Sequence, residues 1–137
     1  ITVHAELMKV KGGWKVIEVG PRVGGYRHNI YLLSYGINHF LNDILIRADQ
    51  KVVIPTELKR NVCVMNIYSK KEGILTTVKG LDQLKELKSY NSARQLVELN
   101  SPTLSARHNG DPVLEVTLSN KDKAEVHKDI KFIEENV

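Results

Sequence analysis

The stretch TVHAELMKVKGGWKVIEVG, residues 2–20, most narrows what the chain can build. Residues 2–10 alternate, so His4, Glu6 and Met8 face one way and Val3, Ala5 and Leu7 the other. Lys11-Gly12-Gly13 signals a hairpin turn, and residues 14–20 form the return strand. That strand carries Glu18 in its middle, where glutamate is poor strand material and costly to bury without a partner. With a three-residue KGG loop, Val10 pairs with Trp14 and Glu6 stands opposite Glu18, about 5 Å apart at Cβ on one face. Like charges so placed destabilise a sheet unless something neutralises them. A hard divalent cation would do so, and magnesium takes carboxylate oxygens. Arg22 follows at the strand end, within reach of a phosphate, and Gly24-Gly25 lets the backbone approach a ligand or simply turn. A two-residue turn at Gly12-Gly13 instead sends the two glutamates to opposite faces; a further alternative is an exposed sheet face on which Glu6 and Glu18 pair with lysines or Arg22. The residues alone leave both arrangements open.

A chain of 137 residues holds one ordinary core or two small lobes. Its apolar share of 42% and charged share of 26% are those of a soluble globular protein. No apolar run reaches the roughly 18 residues that a membrane span needs, so no membrane partner is expected. Neither a basic n-region nor a cleavage pattern is visible, so a secretory leader is not expected. The single cysteine, Cys63, lies in NVCVMNIY, where a buried small hydrophobe and a reducing, cytoplasmic setting fit. The net charge is +4, yet lysines alternate with acids in KKEG, LDQLKELK and NKDKAEVHKD, which reads as solvated helix faces. Aromatics at 6% offer few stacking platforms, so no nucleic-acid partner is expected. The chain lacks an initiator methionine and enters a strand at Ile1 with no polar lead-in, the pattern expected of a piece of a longer protein.

Further along, Gly36 separates two short helices. The first covers residues 28–35, with Ile30, Leu33 and Ile37 on one side. Asn38 is placed to cap the second, residues 39–48, whose Leu41, Ile44, Leu45 and Ala48 form an apolar face. Pro55 marks a crossing segment. Strands are expected at VCVMNIY, ILTTV, ARQLVEL and VLEVTLS, a short helix at LDQLKELK, and a polar loop at SPTLSARHNGDP. The last helix is KDKAEVHKDIKFIEEN, with Val126, Ile130, Ile133 and Val137 on one face and Ser119 with Asp122 as a capping box. The order ββαββα predicts an α+β fold, an antiparallel sheet with helices on one face. His4 reads as a strand histidine bonded locally. His39, His108 and His127 have no metal-ligand spacing and read as surface residues, and ARHNGD reads as a turn.

Residues 2–48 resemble the C-terminal part of an ATP-grasp domain. The likeness rests on the strand His-x-Glu of His4 and Glu6 and on the glycine hairpin. It continues through the apolar-Glu-apolar-x-Pro-Arg-x-Gly-Gly run of Glu18, Pro21, Arg22, Gly24 and Gly25, then an apolar helix and the Gly36-Ile37 step. Residues 50–137, through EGILTTVKGLDQLKEL, resemble the lobe that follows in the superfamily's carboxylate–amine ligases. The resemblance implies residues 1–50 as the C-terminal piece of the catalytic domain and residues 51–137 as an α+β lobe packed on it. It implies an ATP-dependent reaction in which a substrate carboxylate is phosphorylated and an amine attacks the acyl phosphate. Glu6 and Glu18 match magnesium-binding glutamates, and Arg22 matches the arginine at the transferring phosphate. Gly24 and Gly25 match the loop bordering the substrate carboxylate. Arg27 stands beside that loop at a helix start, where anions are favoured. Gly20 departs from the family, which most often has a magnesium-binding asparagine there. The implied partners are amino-acid-like carboxylates and amines and the missing N-terminal lobes of the same chain, with a homodimer left open. The chain is expected to be inactive alone. The competing reading is a non-catalytic small-ligand-binding or interaction lobe.

Overall fold

The computed structural model describes residues 2–52, 54–108 and 110–137. Ile1, expected inside a strand, and Asn109 of the ARHNGD turn lie outside the described residues. The chain divides into two compact units, Ile1–Lys59 and Arg60–Val137.

In the first unit β1 (His4–Val10) and β2 (Gly13–Gly20) form an antiparallel hairpin, followed by α1 (Arg27–Tyr35) and α2 (His39–Arg47). The hairpin turn differs from the expected three-residue loop. Val10 pairs with Gly13 and Lys9 with Trp14, so the turn is Lys11-Gly12. Gly12 at φ +95° and Gly13 at φ +147° adopt backbone open to glycine, which lets the turn close one residue tighter. Gly36, at φ +81°, ends α1, and its N–H donates to Leu32 O at 3.0 Å. Asn38 caps α2 as expected, accepting from Leu41 N–H at 3.0 Å. Thr2 donates from its N–H and its hydroxyl to Asp43 Oδ1, 2.5 Å each, tying the start of the hairpin to α2. The Thr2 hydroxyl bond is the main cause that holds the Asp43 carboxyl below its usual range. Lys59 N–H donates to Ser34 O at 2.7 Å, fastening the segment after Pro55 to α1. Ile37, Ser34 and His4 are buried. The apolar face foreseen on α2 is present in sequence but stays exposed, with Ile44 at 63%.

The second unit runs β3 (Asn61–Ile67), β4 (Gly73–Ile74), α3 (Leu81–Leu84), β5 (Tyr90–Gln95), β6 (Pro102–Thr103), β7 (Leu114–Asn120) and α4 (Lys123–Asn136). β7 is the centre of an antiparallel sheet ordered β3-β7-β5, and β4 pairs with β6. Leu114, Val116 and Leu118 point inward from β7, and Leu84, Val126 and Ile133 close over them. Ile130 and Val137 pack at the margin, so the foreseen face of α4 is the buried one. This is the expected α+β, antiparallel arrangement.

Four local expectations are corrected. Of ILTTV only Ile74 is in a strand, the two-residue β4 (Gly73–Ile74), because its partner β6 has two residues. Leu75 then exchanges bonds with Ser101 O and Asn100 N–H and buries its side chain instead. The strand assigned to ARQLVEL begins earlier, at Tyr90, since Tyr90 and Ala93 face Leu118 and Val116 while Leu96 and Leu99 stay exposed. Ser119 belongs to β7, where its Oγ accepts from Arg60 Nε at 2.8 Å, and Asp122 alone caps α4 by accepting from Ala124 N–H at 2.8 Å. The loop SPTLSARHNGDP contains β6 and a 3-10 turn, Ala106–His108.

Cys63 is half-buried against the core, and burial pushes its thiol up, with Glu134 adding to the rise. The sign follows. Because the folded thiol titrates above its unfolded value, its contribution to stability is full below that unfolded value. It is lost as pH rises through the folded one. Alkylation of Cys63 at pH 8 is therefore expected to run more slowly in the folded chain than in urea. Equal rates in a mass-spectrometric time course would show the thiol to be free.

Candidate functional site

The hairpin builds the site through an irregularity. From the turn as far as Leu7 opposite Val16 the register is regular, and continuing it would set Glu6 against Ile17. Glu18 would then face the other side. A β-bulge between Glu6 and Leu7 leaves Ile17 as the extra residue of β2, and Glu6 stands opposite Glu18 after all. The two deviations from the expected pairing, a tighter turn and a bulge, cancel at this position. Ala5 pairs with Val19 and His4 with Gly20 beyond it.

Each carboxylate has one neighbour. His4, buried at 8%, places Nε2 3.1 Å from Glu6 Oε1. Arg22 Nη2 stands 3.8 Å from Glu18 Oε1, with both side chains more than half exposed. An ion pair that open contributes about 0–1 kcal/mol and leaves the guanidinium free to change partners. Gly20 offers no side-chain ligand and lies beside Arg22 and the Glu18 carboxylate.

The Gly-Gly segment divides its work. Gly24 is buried, and a Cβ there would lie 2.6 Å from His4 Nδ1 and 2.9 Å from the Arg27 side chain. Gly25, at φ +33°, is exposed with open space around it. Arg27 begins α1, its N–H donating to Gly24 O at 2.8 Å and its guanidinium lying 5.9 Å from the centre of the Tyr26 ring. A cleft of about 630 Å³ opens between the hairpin and the helices, bordered by His4, Glu6, Gly24, Arg27, Tyr31 and His39. Glu18 and Arg22 do not border it. His39 was expected on the surface. It is half-buried, edge-on to Tyr31 at 5.0 Å. His28 packs on Phe40 at 4.2 Å. No residue spacing announced this aromatic cluster, because the Gly36 turn, rather than a repeat, brings α1 against α2.

Among the described residues no group of three or more His, Cys, Asp or Glu side chains is placed to hold a metal ion. Two facing carboxylates suit a cation that draws its other ligands from water and phosphate, which is how magnesium is commonly held. They do not form a self-sufficient cage. His108 pairs with Glu72 on the exposed surface of the second unit, apart from any such group. No helix among the described residues is long and apolar enough to cross a membrane.

The chain matches no protein-family model and finds no significant match among curated proteins. Its fold is shared with the crystal structure of L-amino acid ligase from Bacillus licheniformis, with a TM-score of 0.77 over 98% of this chain at 23% identity. The chain covers 35% of that ligase, and at this identity the likeness is one of fold.

Proposed function

We propose that the chain is part of an ATP-dependent carboxylate–amine ligase of the ATP-grasp kind. The observation that carries this reading is the fold shared over 98% of the chain with an L-amino acid ligase. The bulge that sets Glu6 opposite Glu18 supports it, since bulges gather beside active sites, where they re-aim side chains. In this reading residues 1–50 belong to the catalytic domain and residues 51–137 are the lobe that follows. Glu6 and Glu18 hold magnesium, and Arg22 leaves Glu18 to meet the transferring phosphate. Gly24, Gly25 and Arg27 border the substrate carboxylate. Held by the two glutamates, magnesium would supply positive charge to offset that of the phosphate oxygens. The substrates are amino-acid-like carboxylates and amines, and the partner is the rest of a longer chain. The exposed apolar side chains of the hairpin, Leu7, Trp14, Val16 and Val19, suit a surface that such a partner covers. By itself the chain is inactive.

The test is ADP release by the full-length protein across a panel of amino acids and amines. ADP is expected only when a carboxylate and an amine are both present. Release that no substrate pair stimulates would overturn the ligase reading. One observation favours a second reading, a non-catalytic binding lobe: the cleft excludes Glu18 and Arg22. Calorimetry separates the two, since that lobe binds small carboxylates tightly without magnesium.

A further inference from the structure

We propose that His4 is a positioning residue whose ring holds the Glu6 carboxylate in place to act with Glu18, and that residue 24 is glycine to make room for that ring. The inference rests on the magnesium reading of the two glutamates.

Three observations converge. His4 is one of few buried polar side chains in the first unit, although it lies on a two-stranded hairpin whose other side chains are largely exposed. A histidine is buried at such a place only if something holds it. Its Nε2 lies 3.1 Å from Glu6 Oε1, on the same strand face two residues on. With the proton on Nε2, the ring donates to one carboxylate oxygen and leaves the other free for a cation. The rear of the ring lies close against the Gly24 backbone. A Cβ at Gly24 would lie 2.6 Å from Nδ1, so any side chain there displaces the ring or Arg27. Gly24 itself is held, its carbonyl accepting from Arg27 N–H at 2.8 Å at the start of α1. A path of direct contacts thus runs from α1 through Gly24 and His4 to Glu6.

Glu6 is about half exposed and, without His4, would sample several rotamers. Groups that orient metal-binding side chains typically change metal affinity by about 10–100-fold when removed. The experiment compares wild type, His4→Phe, His4→Gln and Gly24→Ala in the intact chain. His4→Phe keeps a ring without a donor. His4→Gln returns an N–H at the distal position.

Two readouts are taken, Mn2+ binding by electron paramagnetic resonance with Mg2+ competition, and the Glu6 χ1 rotamer from Hα–Hβ couplings without metal. His4→Phe is expected to weaken Mn2+ binding by about tenfold and to average the Glu6 couplings, and Gly24→Ala to do the same. His4→Gln is expected to restore both. Urea midpoints should stay together for His4→Phe and His4→Gln. Identical Glu6 couplings in wild type and His4→Phe overturn the proposal. So does a His4→Gln no better than His4→Phe, because the loss then follows the ring and not the donor. If Glu6 couplings depend on His4 while wild type binds no Mn2+, the positioning role stands and the magnesium reading falls.

Discussion

Replacing Asp129 with alanine is expected to destabilise the unit Arg60–Val137 by about 3 kcal/mol. Asp129 lies on the inward side of α4 at 4% exposure, and Ser89, just before β5, is fully buried. Asp129 Oδ2 accepts from Ser89 N–H at 2.8 Å and from the Ser89 hydroxyl. Ser89 O in turn accepts from Ser119 N–H at 2.6 Å, so this junction joins α4 to the central strand of the sheet. Alanine leaves two buried donors without an acceptor, each costing about 1–3 kcal/mol less whatever the hydroxyl regains by rotating. Asp129→Asn keeps an acceptor oxygen and is expected to cost about 1 kcal/mol, as is Ser89→Ala, which removes only the hydroxyl. Urea unfolding followed by circular dichroism orders the three. An Asp129→Ala variant within about 0.5 kcal/mol of wild type would mean that water reaches the junction.

Asp129 also marks what the sequence conceals. It sits in NKDKAEVHKD, a run whose mixed charges read as solvent-facing, and most of that run is exposed. Periodicity identified Val126, Ile130, Ile133 and Val137 because apolar spacing is a local signal. The partner of Asp129 is forty residues away along the chain, and no local pattern announces it. The same contrast holds for the strands. β3 and β7 were legible since each is a full run of β-formers paired along its length. ILTTV has equal propensity but meets a two-residue partner, and pairing rather than propensity decides strand length. At the hairpin, alternation gave the faces of β1 correctly. It could not give the register of β2, because Ile17 looks like any other strand residue until Glu18 is seen opposite Glu6. Gly24 was legible as a glycine with a purpose, but the crowding that a Cβ would meet there, from the His4 ring and the Arg27 side chain, belongs to the packed structure.

Glu18→Gln and Glu6→Gln should each lower substrate-dependent ADP release by the full-length protein on the order of 100-fold, without a matching loss of stability. The two effects separate because the pair contributes little to folding. Facing like charges are unfavourable in an antiparallel hairpin, and the 3.8 Å contact of Glu18 with Arg22 is too exposed to offset much. Neutralising Glu18 removes both, so the unfolding free energy of the first unit, measured in urea, is expected to change by no more than about 0.5 kcal/mol. The chemistry proposed for the site has no such compensation, since in that reading it needs both negative charges on one face. Raising magnesium should recover little of the lost rate if the missing carboxylate orients the ion as well as attracting it. Lys9→Gln, a charge change on the opposite face of the same hairpin, is the control and should stay within about twofold. Turnover retained by both glutamine variants would detach the carboxylate pair from catalysis while leaving the fold likeness intact. Turnover lost together with stability would instead make the pair a folding element. The conjunction of full stability with lost turnover is the result that only a charge-dependent site produces.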